Sequence, residues 1–208
     1  MFHALAAGGM LLSSLVMPAT IVAPPPNSIV IDVVAANGSG CPDGTAVVAV
    51  SPDRTAFTVS YSEYLAQVGV GTKPTDFRKN CQLGLDVHIP QGFTYAIAEA
   101  DYRGFAHLAP GAIGSETASY YFQGNPLTTR AAHVFAGGPD TDWQTKDTVA
   151  VTALVFEPCG EERNLNVNTE LRVNAGRSNP RRTTSFLTMD STDGSISTVY
   201  HVAWKRCP

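Results

Sequence analysis

Charge is scarce in this sequence and absent from its beginning. No Lys, Arg, Asp or Glu precedes Asp32, charged residues make up 15% of the chain, and the net charge is −4. A mildly acidic chain of this kind has no electrostatic footprint for nucleic acid. Its basic cluster, Arg177, Arg181 and Arg182 around Ser178-Asn179-Pro180, reads as a solvated loop. Catalytic signatures are missing as well. There is no H-E-x-x-H, no G-x-S-x-G elbow, no P-loop and no dinucleotide fingerprint, which weighs against an enzyme and implies no cofactor. The cysteines never stand at the close spacing of a zinc ribbon, and His88, His107, His133 and His201 are scattered, so no metal centre is expected. Helical periodicity is almost absent too. The one candidate is a single turn within residues 60–68, capped by Ser62 with Tyr64, Leu65 and Val68 facing inward.

What the beginning does have is an apolar run over residues 5–22, interrupted by Ser13-Ser14 and Pro18. It ends in Ala19 and Ala23, with Pro24-Pro25-Pro26 behind it, which predicts a cleaved signal peptide over residues 1–23. Met1-Phe2-His3 lacks the usual basic residue. A membrane span needs about 20 strongly apolar residues, usually with charged flanks, so the mature form is expected to have none; an uncleaved anchor is the alternative. A short Pro-rich lead over 24–28 then precedes one domain over 29–208, enough chain for a single well-packed core. Four cysteines follow the leader: Cys41, Cys81, Cys159 and Cys207. An even count in an exported chain predicts two disulfides. Of the three pairings, Cys41–Cys81 with Cys159–Cys207 is favoured, each bridge contributing about 4 kcal/mol at best by chain entropy.

Beyond the leader, short β-patterned runs alternate with turn signals. Strands are predicted over 28–34, 45–50, 57–61, 81–90, 93–102, 117–123, 148–156, 164–174, 183–189 and 195–205. This pattern predicts an all-β fold, an antiparallel β-sandwich or jelly roll stapled by two disulfides. The longest loop is expected over 125–146, around Gly137-Gly138-Pro139, and long loops on sandwiches tend to carry function.

Three constellations can carry function. In the run 164–174, Leu165, Val167, Thr169, Leu171 and Val173 share one face, while Asn164, Asn166, Asn168, Glu170, Arg172 and Asn174 share the other. Asn forms strands poorly, so this is either a flat platform whose amides bind sugar hydroxyls or a solvated sheet face. Glu99 and Asp101 stand two apart on one strand face, about 7 Å along it. That spacing suits the two carboxylates of a glycoside hydrolase, and equally a strand that ends in polar residues. Trp143, in the polar segment Pro139-Asp140-Thr141-Asp142-Trp143-Gln144, is either a sugar-stacking ring or a loop anchor. Tyr120, Tyr121 and Phe122 must send alternate rings to opposite faces, and Trp204 reads as core. Asp140 with Asp142, and Asp190 with Asp193 before Gly194, resemble oxygen-rich calcium turns or ordinary Asx-turns. Asn37-Gly38-Ser39 is a glycosylation sequon.

Several blocks form a recognisable set in order: Gly40-Cys41-Pro42-Asp43-Gly44, Arg78-Lys79-Asn80-Cys81-Gln82-Leu83, Asp101-Tyr102-Arg103-Gly104, Tyr120-Tyr121-Phe122-Gln123-Gly124, Pro158-Cys159-Gly160, Leu165-Asn166-Val167-Asn168-Thr169 and Trp204-Lys205-Arg206-Cys207. Together they resemble the secreted family catalogued as domain of unknown function 4360, known from actinobacteria and fungi, over residues 29–207. The resemblance implies export and one domain, and transfers no activity. The expectation is a secreted, non-enzymatic β-sandwich that binds an extracellular polysaccharide or cell-wall surface through Trp143, Asn164, Asn166, Asn168, Glu170 and Arg172. The alternatives are a secreted glycan hydrolase using Glu99 and Asp101, and a module that binds or inhibits a protein partner. The oligomeric state stays open.

Overall fold

A strand with apolar side chains at every second position hides one face and wets the other, and two such sheets close on each other over their apolar faces. The computed structural model of the chain describes residues 20–26, 29–150, 153–189 and 198–208. Most of the expected leader (1–19) and the turn at Asp190 and Asp193 lie outside the described residues. Val22, inside the expected leader, bridges to Trp204, its N–H donating to the Trp204 carbonyl at 2.9 Å.

The described residues hold twelve strands: β1 (Val30–Asn37), β2 (Ala46–Val50), β3 (Ala56–Tyr61), β4 (Leu65–Gly69), β5 (Arg78–His88), β6 (Phe93–His107), β7 (Ile113–Phe122), β8 (Thr129–Ala136), β9 (Thr141–Thr148), β10 (Leu165–Asn174), β11 (Thr184–Thr188) and β12 (Thr198–Arg206). They form a five-stranded sheet in the order β1-β5-β10-β7-β8 and a seven-stranded sheet in the order β2-β3-β12-β6-β11-β4, with β9 pairing to β6. The pairings are antiparallel throughout these ladders. The expected all-β sandwich is what forms. The cysteines pair as Cys41–Cys81 and Cys159–Cys207, the favoured combination, across separations of 40 and 48 residues. The first bridge also fixes β5 from behind. The Gly40 N–H donates to the Asn80 carbonyl at 2.8 Å, and Ser39 Oγ donates to Asn80 Oδ1 and accepts from the Asn80 backbone N–H, both at 3.3 Å.

Between the sheets lies an aromatic core. Tyr200 on β12 is fully buried and stacks on Phe57 of β3 at 4.9 Å; Tyr102 of β6 and Tyr120 of β7 meet it edge-on at 6.1 and 5.8 Å. Tyr95 meets Phe122 edge-on at 5.3 Å. Trp204, 2% exposed, is core as expected.

Three local expectations are corrected. Residues 60–68 hold no helical turn: β3 runs to Tyr61, and β4 begins at Leu65 and pairs with β11. A single isolated helical turn is unstable, and pairing with a neighbour satisfies the same backbone groups. Residues 125–146 are mostly strand, since β8 and β9 occupy them and the chain crosses between sheets at Gly137-Gly138-Pro139. A Cβ on Gly137 would strike the Ala109 carbonyl, so glycine permits this crossing. Of the expected strand 148–156, Thr148 ends β9 and the other described residues form no strand. That segment runs beside β6 through single hydrogen bonds, Val149 N–H to Ala98 carbonyl at 2.8 Å and Glu157 N–H to Tyr95 carbonyl at 3.0 Å.

The core also holds a carboxyl group. Glu116 on β7 is fully buried, and neither carboxyl oxygen has a hydrogen-bond partner. Burial, with the nearby Asp147 carboxylate adding to it, pushes Glu116 up to about 8. Glu157, 5% exposed, is pushed up to about 7, chiefly by burial and against the hydrogen bond from the Arg163 N–H. Both groups hold a proton more tightly in the native state than when unfolded, so stability falls as pH rises from about 4.5 towards 8. Urea unfolding of the oxidised protein is expected to show this fall, on the order of 2 kcal/mol or more. Glu116→Gln is expected to remove much of the slope and to be more stable than wild type at pH 8. An unchanged slope would mean that Glu116 is not the titrating group.

Candidate functional site

Alternation along β10 buries Leu165, Val167, Thr169, Leu171 and Val173 and turns Asn166, Asn168, Glu170, Arg172 and Asn174 outward, as the sequence predicts. The neighbouring strands complete the surface. Across the five-stranded sheet, Gln82, Asn168, Ser119 and Arg130 form one row; Asn80, Glu170 and Thr117 form the next; Arg78, Arg172 and Ser115 form a third. Over the first two rows and Arg78 lies a shallow groove of about 310 Å³. Neighbours within a row stand about 4.8 Å apart and successive rows about 7 Å apart, spacings at which amides, hydroxyls and guanidinium groups can address successive hydroxyls of one ligand.

The electrostatics of the groove centre on Glu170. Arg78 Nε donates to its Oε2 at 2.7 Å, and Arg172 Nη2 donates to its Oε1 at 2.9 Å. Burial opposes the charged form, yet these hydrogen bonds outweigh it and hold the carboxyl below its usual range. Glu170 is thus a clamped anion that fixes two guanidinium groups rather than an acid or base. Asn168 has the opposite character: its Oδ1 is buried and has no hydrogen-bond partner. Asn164 precedes β10 and contributes its carbonyl, which accepts from the Gln123 N–H at 2.9 Å and from Asn166 Nδ2 at 3.3 Å. One row further along, Asn166 stands between Gly84 and Tyr121. Tyr121 is half-buried on this outer face while Tyr120 and Phe122 are core, so the groove's aromatic neighbour is Tyr121. The sequence carried that signal in the alternation of residues 120–122. It was overshadowed by Trp143.

Trp143 is not a surface ring. It sits on β9 and is 6% exposed, against Phe135 of β8 at 4.9 Å. A Cβ on Gly104 would strike both the Trp143 ring and the Thr188 carbonyl, so the ring also packs closely against the β6 backbone. Its neighbourhood in sequence is polar because β9 faces solvent with its alternate residues, Asp142, Gln144, Lys146 and Thr148.

Glu99 and Asp101 point to the opposite outer surface, that of the seven-stranded sheet, where they meet Lys146 of β9 and His201 of β12. Lys146 Nζ lies 2.6 Å from Glu99 Oε1 and 3.6 Å from Asp101 Oδ1; His201 Nε2 lies 3.1 Å from Asp101 Oδ2 and 3.6 Å from Glu99 Oε1. A cation thus bridges the two carboxylates, where a glycosidase needs room for a sugar. Asp140 is engaged by His107 Nδ1 at 2.7 Å. Among the described residues no helix is long and apolar enough to cross a membrane.

A family described as a domain of unknown function (DUF4360) matches residues 27–207. An "Uncharacterized secreted protein" of Arthroderma benhamiae is 38% identical over 185 residues, spanning 89% of this chain and 74% of that protein. A solved structure of TmCBM61 in complex with beta-1,4-galactotriose is 9% identical, covering 85% of this chain and 91% of that one, with a TM-score of 0.29. A likeness that distant carries no argument. The secreted relative and the two disulfides agree that the protein is secreted.

The burial of Trp143 has a direct consequence. Trp143→Ala is expected to cost about 3–5 kcal/mol of stability, read from denaturant unfolding of the oxidised protein. A loss under about 1 kcal/mol would put the ring outside the core.

Proposed function

This chain belongs to the DUF4360 family, and we propose that it is a secreted polysaccharide-binding module, not an enzyme, that holds its ligand on the outer face of the five-stranded sheet. The observation that carries this reading is the groove over β5, β10 and β7, lined by Asn80, Gln82, Thr117, Ser119, Asn168 and Glu170 on rigid paired strands. Such a surface offers many donors and acceptors and little apolar area, which suits a hydroxyl-rich polymer better than an apolar small molecule. The buried Oδ1 of Asn168 is an acceptor that a sugar hydroxyl can satisfy. Tyr121, one row beyond on the same outer face, supplies a ring at the end of the groove. Arg130, exposed at the β8 edge, favours polymers that carry acidic groups.

A pull-down of the oxidised protein against insoluble chitin, cellulose, β-glucan and peptidoglycan tests this, with the supernatant assayed for released sugar. Binding without release is expected. Asn168→Ala and Tyr121→Ala should each weaken it roughly tenfold, whereas the core variant Trp143→Phe should leave it unchanged. Sugar release abolished by Glu99→Gln would transfer the function to the other sheet and make the protein a hydrolase. Binding to none of these polymers would favour a protein partner.

A further inference from the structure

We propose that Glu99, Asp101 and His201 form a binding site for a divalent first-row transition-metal ion, on the face of the sandwich opposite the groove. The three side chains offer one nitrogen and two carboxylate oxygens, all within 4.8 Å of one another. His201 Nε2 stands 3.1 Å from Asp101 Oδ2 and 3.6 Å from Glu99 Oε1. Ligand atoms at about 2.1 Å from a common ion are separated by about 3.0 Å in an octahedron and about 3.4 Å in a tetrahedron. The two edges that meet at His201 therefore need only a few tenths of an ångström of adjustment, and the Glu99–Asp101 edge lies within 4.8 Å.

A second feature points to an ion. Asp101 is only 6% exposed, yet its Oδ1, directed into the cluster, has no hydrogen-bond partner; the Lys146 ammonium comes no closer than 3.6 Å. A buried carboxylate oxygen without a hydrogen bond, beside an imidazole nitrogen and a second carboxylate, is an acceptor that a metal ion can satisfy more closely than the Lys146 ammonium does. An imidazole in the set selects against calcium and magnesium and for zinc, copper, iron or nickel. The frame is rigid. Glu99 is paired with His201 on one side and Thr148 on the other, and Asp101 with Lys146. The register shift opposite His201 and Val202 leaves Ala98 of β6 as the extra residue, a bulge that bends β6 next to Glu99. Thr148 Oγ1, 3.4 Å from Glu99 Oε2, can orient the second oxygen of that carboxylate.

Lys146 is the competitor. Its side chain is 54% exposed and it occupies the cationic position by a 2.6 Å contact to Glu99. An incoming ion must displace it, so the lysine sets the affinity. The cluster escapes sequence inspection because His201 lies 100 residues from Asp101.

The test is a calorimetric titration of the oxidised, untagged protein with Zn²⁺, together with Co²⁺ titration followed by visible absorption, which reports direct ligation. One equivalent is expected. Glu99→Gln and His201→Gln should each weaken it by at least the ten- to hundredfold that losing an outer-shell partner costs. Lys146→Met, a change at an exposed side chain, should tighten it about tenfold by removing one competing charge. The site is overturned if Lys146→Met shows no stoichiometric binding. It is also overturned if Glu99→Gln and His201→Gln bind as wild type does, or if binding disappears instead with His88→Ala, next to Asp32 and Asp86. Polysaccharide binding by the groove is measured on the same variants and should not change in any of them.

Discussion

Tyr200 lies where the two sheets meet, and its contacts reach both. Phe57 and Tyr102 approach it from its own sheet, and Tyr120 crosses from the opposite one. Ring pairs in offset and edge-on geometry hold a separation that aliphatic packing alone would leave softer. With the sheets fixed at that separation, each strand has one face committed to the core, and what remains on the other face becomes available for recognition. The outer surfaces are therefore consequences of the core: Asn168 points outward because Val167 and Thr169 must point inward.

Much of this was legible in the sequence. Strict alternation over residues 164–174 identified β10 and both of its faces, because a strand packed on one side leaves a period-two record. The disulfide pairing followed the order of the chain. Trp143 misled because β9 is nearly all polar, and one large ring among Asp, Thr and Gln looks like a loop residue until Phe135 covers it. The same polarity concealed β9 as a strand, and β8 went with it into one expected loop; pairing to β6 and β7 gives the two their places. Neither the groove nor the His201 cluster could be read along the chain: each assembles side chains from several strands that tertiary pairing alone brings together.

The two outer faces differ in kind. Over the five-stranded sheet the polar groups are spread, with an unpaired amide oxygen on Asn168 and a carboxylate clamped by two arginines. Over the seven-stranded sheet they converge, with two carboxylates, an imidazole and an ammonium concentrated around Asp101. Spread polarity suits an extended ligand, and convergence suits a point charge.

The Cys41–Cys81 bridge lies directly beneath the groove. Cys81 separates Asn80 from Gln82 on β5, stands opposite Thr169 on β10, and holds the Gly40 turn against the Asn80 carbonyl. Thiols remain reduced in the cytosol and pair only after export. The groove's floor is therefore finished by the same oxidation that marks arrival outside the cell. A chain still inside lacks the covalent brace behind its recognition face, so the maturation of that surface is timed by secretion itself.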